Sequence, residues 1–165
     1  MRTDLPAGTV TFLFTDVEGS TKLLDELGAE SYATALAEHR RIVRESCAEQ
    51  GGVEVDTQGD AFFFAFPTAP GALEASRAIV EGLSPGRVRV RTGLHTGTPL
   101  LTDEGYVGAD VHRAARIAAS GHGGQVLVSA ATAALGAEPQ VLPLLDLGEH
   151  RFKDLAAAER DGSSS

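Results

Sequence analysis

Apolar and polar residues follow two rhythms along the chain, and the points where the rhythm changes mark its elements. Val10 to Phe14 is nearly continuous in apolar and β-branched character, the pattern of a strand buried on both faces. Helical spacing takes over from Thr21 to Leu27, with Ser20 or Thr21 as the expected N-cap and Gly28 as the stop. A long helix is predicted over Glu30 to Gln50. It has Tyr32, Leu36, Val43 and Cys47 on one face, His39, Arg40, Arg41 and Arg44 outside it, and Gly51-Gly52 at its end. Val53 to Asp56 alternates as a strand, Ala61 to Phe66 forms another, and Thr57-Gln58-Gly59-Asp60 joins them as a hairpin.

Further on, Pro67 to Gly82 reads as a helix and Arg87 to Leu94 as a strand whose Arg/Val alternation implies one solvated face. Thr98 to Leu101 is its expected return strand. Val111, Ala114, Ala115 and Ala118 give Gly108 to Ala119 a helical spacing. Gln125 to Ser129 is a strand, Ala130 to Leu135 a short helix, and Leu142 to Leu147 a weaker strand. The Ser-rich end, 161–165, has the composition of a disordered tail. With no internal repeat or linker, residues 1–160 are expected to form a single α+β domain, one sheet with helices covering a face.

Composition narrows the class of partner. A net charge of −9 argues against a general nucleic-acid or membrane surface, either of which favours clustered Lys and Arg. Cys47 is the only cysteine, so no intramolecular disulfide forms, and its place in a helical pattern suits a small buried apolar residue. The opening Met-Arg-Thr-Asp-Leu-Pro carries no apolar leader and no run reaches transmembrane length, so the expected location is cytoplasmic.

The candidate chemistry starts at Asp16. A carboxylate ending a central strand is held rigidly, and the Glu18-Gly19-Ser20-Thr21 turn that follows opens a helix with unpaired backbone amides. Together they suit a metal-bound polyphosphate, the carboxylate taking the cation and the amides and helix dipole the anion. Alone, Asp16 is most simply a turn residue. A second carboxylate, Asp60, lies at the hairpin tip, and a hairpin placed beside the first strand would set the two side by side.

Four segments then fall in order: Phe14-Thr15-Asp16-Val17-Glu18-Gly19-Ser20-Thr21, Gln58-Gly59-Asp60, Gly93-Leu94-His95-Thr96-Gly97, and Gly108-Ala109-Asp110-Val111-His112-Arg113-Ala114-Ala115-Arg116. The chain resembles the class III adenylate/guanylate cyclase catalytic domain, bacterial branch, from about Gly8 to Lys153. The resemblance implies a ferredoxin-like βαββαβ core with additions, in a head-to-tail homodimer with two composite interface sites. It implies that Asp16 and Asp60, with the backbone carbonyl of Val17, hold Mg²⁺ or Mn²⁺, two ions per site. The amides of Glu18, Gly19, Ser20 and Thr21 would cradle the triphosphate, Lys153 would contact a phosphate, and Arg116 would stabilise charge on the α-phosphate. The implied reaction is purine nucleoside triphosphate cyclisation, most simply ATP to cyclic AMP and pyrophosphate. GTP is a second candidate substrate.

Three positions depart from the family pattern. Asp56 stands where a base-selecting lysine is expected, Gly105 where its aspartate partner is expected, and His112 where an asparagine orients the ribose. Asp56 cannot donate to adenine N1 while ionised, and Gly105 has no side chain to accept from the amino group. The readings left open are a cyclase with relaxed base recognition and a catalytically degenerate module that dimerises, binds nucleotide and regulates a partner. A diguanylate-cyclase-like enzyme is disfavoured, because Gln58-Gly59-Asp60-Ala61-Phe62 only partly matches the hairpin that class needs.

Overall fold

The computed structural model describes residues 4–135. The weak strand expected at 142–147, the tail and Lys153 lie outside the described residues. Their order is β1 (Val10–Val17), α1 (Ser20–Leu27), α2 (Ala29–Glu49), β2 (Val53–Gln58), β3 (Ala61–Phe66), α3 (Ala69–Leu83) and β4 (Val90–Gly97). After these come β5 (Leu100–Thr102), β6 (Gly105–Val107), α4 (Ala109–Ala119), β7 (Val126–Val128) and α5 (Ala130–Leu135). Five strands form one sheet in the order β2-β3-β1-β4-β7, and β5 pairs with β6 as a separate ribbon. β1 runs antiparallel to both β3 and β4, and β7 joins β4 in parallel. Read from its other edge, β4-β1-β3-β2 is the ferredoxin-like core that the sequence implied.

β1 owes its place at the centre to apolar residues on both of its faces. Leu13 and Val17 point into the larger core, with Val43 and Cys47 of α2, the β3 phenylalanines Phe62, Phe64 and Phe66, and Leu73 and Ile79 of α3. Val10 and Phe12 point the other way, onto Ala114 of α4, with Phe63 and Tyr106 beside them. Helices therefore cover both faces, not the single face expected. The sequence of α4 hides this, because its packing surface is built of alanines.

Several boundaries move for local reasons. Thr68 caps α3 by accepting from the Gly71 N–H at 3.1 Å, which starts that helix two residues later than its apolar spacing implied. β4 begins only at Val90, because Arg89, although exposed, is tied back to the end of α3. Its guanidinium donates to the carbonyls of Leu83, Ser84, Gly86 and Val88, closing the end of α3. The segment after β4 does not return along it. Pro99 removes a ladder donor, and Leu100–Thr102 pairs with Gly105–Val107 instead. His39, placed outside α2 by spacing, is fully buried, its ring 5.7 Å from that of Phe62.

Candidate active site at the edge of the sheet

The strand registers decide which side chains share a face. β1 residues Phe14 and Asp16 alternate onto the α4 side, and the β1–β4 pairing sets Asp16 opposite Arg91. The β1–β3 ladder ends at Thr15 opposite Phe62, so Ala61 and then Asp60 continue it past Asp16. Both aspartates thus stand at neighbouring strand ends.

Beside Asp16, on the side away from β3, stands a residue that sequence reasoning missed. Arg91 Nε donates to Asp16 Oδ1 at 2.8 Å and its second nitrogen donates to Oδ2 at 2.5 Å, a bidentate pair with both side chains largely covered. The Asp16 hydrogen bonds raise the Arg91 pKa, and the charges of Asp16, Glu18 and Asp60 add to the shift. Three carboxylates therefore direct their field at one cation. The Arg/Val alternation was read as one solvated face; the register partner of Arg91, visible only in the fold, is the missing signal.

Around this cluster the cradle is partly as expected. α1 starts after Gly19, which takes the N-cap position with no side-chain cap, so neither Ser20 nor Thr21 caps the helix. Gly19, Ser20 and Thr21 bring first-turn amides to this end. Glu18 does not, because its N–H donates to the Arg89 carbonyl at 2.9 Å. Its carboxylate instead accepts from the Gly123 N–H. The Val17 side chain is buried in the helix-side core, which leaves only its backbone to face a ligand.

The hairpin carrying Asp60 is anchored from α2. Arg40 donates to the Gly59 carbonyl at 2.9 Å, and Arg44 grips Glu54 with two hydrogen bonds while its guanidinium carbon lies 5.1 Å from the Phe62 ring centroid. A bulge between Glu54 and Asp56 then changes the pairing sum of β2 against β3, setting Asp56 opposite Phe63 instead of Phe62. That one-residue slip turns Asp56 to the α4 side. There it lines a cavity of about 360 Å³ with Gln58, Phe14, Phe63, Val111, His112 and Ala115, among others. Asp56 accepts from the Thr57 N–H at 2.9 Å and from Gln58 Nε2 at 3.0 Å. Gly105 is not among the lining residues; it opens β6 with a φ of 113°. Arg116 is exposed one turn beyond His112 on α4.

The donor set suits a hard divalent cation. Asp16 already takes a positive group through both oxygens, and all the ligands on offer are oxygen. Among the described residues no group of three or more His, Cys, Asp or Glu is arranged to hold a metal. An ion at Asp16 and Asp60 would therefore complete its shell with the Val17 carbonyl, water and phosphate.

The sheet order and its covering helices are those of solved cyclase catalytic domains. The chain belongs to the adenylate and guanylate cyclase catalytic domain family, matching it over residues 4–153. It is 42% identical over 158 residues to an uncharacterized protein of Mycobacterium tuberculosis, covering 93% of this chain and 55% of that one. An adenylate cyclase of Podospora anserina is 32% identical over 160 residues, 75% of this chain and 7% of the fungal protein. The chain thus spans about half the length, or less, of these relatives. Adenylate cyclases of Trypanosoma brucei solved in their monomeric state share the fold, with a TM-score of 0.70 at 24% identity over 82% of this chain and 79% of theirs. Among the described residues no helix is long and apolar enough to cross a membrane.

Proposed function

We propose that the chain is a purine nucleoside triphosphate cyclase with relaxed base selectivity, working as a homodimer with composite sites. The observation that carries this reading is the convergence of Asp16, Asp60 and Glu18 on one cation beside the open N-terminus of α1. In the reaction the ribose 3′-oxygen forms a bond to the α-phosphorus as the bond from that phosphorus to the β-phosphate oxygen breaks. Pyrophosphate leaves and the hydroxyl proton passes to solvent. Asp16, Asp60 and the Val17 carbonyl would hold Mg²⁺ or Mn²⁺, two per site, which when bound would acidify the 3′-hydroxyl and offset phosphate charge.

The remaining work falls to the chain itself. Gly19, Ser20 and Thr21 amides bind phosphate oxygens at the positive end of α1. Were Asp16 to hold a cation, the Arg91 guanidinium would be able to turn from it toward the triphosphate, with the charges of Glu18 and Asp60 still beside it. From the partner subunit, Arg116 stabilises charge at the α-phosphate and His112 donates to the ribose. Lys153 is the proposed late phosphate contact. Asp56 accepts hydrogen bonds in the base cavity, so it can take the N1–H and amino group of guanine but offers adenine N1 no donor. The dimer is supported by exposed apolar residues on the β5–β6 ribbon: Leu100 and Val107, paired across it, are 65% and 54% exposed.

Incubating the chain with ATP and with GTP, in Mg²⁺ and in Mn²⁺, tests this. Slow cyclic nucleotide formation, faster in Mn²⁺ and lowered about 10²–10³-fold by Asp16→Ala or Arg116→Ala, is the expected result. The reversed charge at Asp56 favours a second reading, a degenerate nucleotide-binding regulatory module. That reading replaces the first if no nucleotide turns over with either metal while binding persists.

A further inference from the structure

His112 and Arg116 both ride on α4, so whatever fixes the rotation of that helix fixes what they present. Asp110, Ala114, Ile117 and Ala118 form its inner face. At about 100° per residue, His112 and Arg116 lie roughly 200° and 240° around the helix from Asp110. β4 meets the inner face at two places. At Gly93 the helix backbone rests on the strand: a Cβ there would lie 2.3 Å from the Ala114 carbonyl oxygen and 2.5 Å from the Ala118 nitrogen. Further along β4, His95 is 4% exposed, with Nε2 at 2.7 Å from Asp110 Oδ1 and Nδ1 at 2.9 Å from Ser129 Oγ. Gly97 leaves room for the same carboxylate, since a Cβ there would sit 2.1 Å from Asp110 Oδ2.

One proton of this chain can be assigned from its acidic end. A carboxylate only accepts, so Nε2 carries the proton and donates to Asp110. Ser129 Oγ accepts from the Thr132 N–H at 3.3 Å and lies within reach of both Nδ1 and Thr132 Oγ1 for its own hydrogen. Ser129 is 1% exposed, so this Ser-His-Asp series has no access to a substrate and supplies no nucleophile. Its reach is structural: from α5 and β7 through β4 to the first turn of α4.

We propose that Ser129, His95 and Asp110, with the space left by Gly97, are positioning residues that set the rotation and height of α4 and so deliver His112 and Arg116 to the nucleotide. The catalytic consequence rests on the role assigned above to Arg116. A displacement of about 1 Å at a reacting group costs on the order of a hundredfold in rate. Loosening the clamp therefore lowers turnover while leaving the metal half of the site alone.

Asp110→Asn and Gly97→Ala are expected to lower kcat about tenfold or more with KM near the parental value, and Ser129→Ala a few-fold. Mixing Asp110→Asn chains with Asp16→Ala chains should restore activity. In the mixed dimer one site combines the intact aspartates of the first chain with the intact α4 of the second. That recovery separates a mispositioned helix from a misfolded chain. A parental rate for Asp110→Asn, or no recovery where an Arg116→Ala and Asp16→Ala mixture recovers, overturns the clamp. If Arg116→Ala itself leaves turnover unchanged, or the parent is inactive, the reading of Arg116 fails and NMR judges the clamp alone. The clamp then requires a His95 ring that donates from Nε2 to Asp110, and Asp110→Asn must shift α4 amide signals but not those of the β2–β3 hairpin. Unmoved α4 signals overturn it.

Discussion

Asp16 and Arg91 show how much a single register pair can decide. Asp16 was legible as a candidate ligand only once Asp60 and the family resemblance stood beside it, and Arg91 looked like a solvated arginine until the β1–β4 ladder set it opposite Asp16. Asp56 was legible as a departure from the family, whereas the bulge that aims it into the base cavity was not, since nothing local in Val53 to Gln58 announces a slip. Each good polar contact in such a cavity is worth about 1–3 kcal/mol. Asp56→Lys should therefore raise the ATP-to-GTP ratio of kcat/KM by about tenfold or more, read from parallel assays with both nucleotides. An unchanged ratio would remove Asp56 from base recognition. Adding Gly105→Asp is less favourable than a family comparison implies, because a side chain at φ 113° carries backbone strain of about 1–3 kcal/mol. His39 makes a second prediction at this scale. Burial holds its pKa below the ordinary 6.5, with the nearby Asp60 charge opposing that shift. The unfolded chain thus takes up a proton that the folded one refuses. Stability is full above about pH 6.5, falls as pH drops through that value, and levels off below the folded pKa. Between about pH 7.5 and 5.5 the Tm of the parent should fall further than that of His39→Leu. Equal slopes would contradict the burial argument.

Elements were easier to read than their assembly. Strands and helices along the chain were legible from periodicity, because β1, β3 and α2 bury clear apolar faces. The second helical layer was not, since α4 packs through Ala114 and Ala118 directly on the glycine of β4. Small residues give a weak hydrophobic signal and a strong steric one. Gly93→Ala should accordingly cost about 1–3 kcal/mol or more, as overpacking against backbone leaves no side chain able to move aside. Denaturant unfolding of the variant measures this, with the loss expected in the midpoint. A neutral effect would mean that α4 does not sit on β4 as described. The β5–β6 ribbon was also missed, because Pro99 ends one strand and the turn after Thr102 starts a new pairing that alternation alone cannot distinguish from a return.

At the scale of the whole molecule, the proposed function draws its metal residues from one subunit and its α4 residues from the other. Asp16 and Asp60 are the proposed metal residues at the strand ends, while His112 lines the cavity beside α4 and exposed Arg116 lies one turn beyond it. On that reading a second copy brings one half of the site to the other, and assembly is part of the mechanism. Activity should fall on dilution as dimers separate, and rise more steeply than linearly with protein concentration below the dissociation constant. The most direct measurement mixes Asp16→Ala with Arg116→Ala chains and follows cyclic nucleotide formation in Mn²⁺. Each variant alone should be nearly inactive, and the mixture should recover up to about a quarter of the parental rate, since half of randomly paired dimers carry one intact site of two. Recovery absent despite demonstrated mixed dimers would contradict the account.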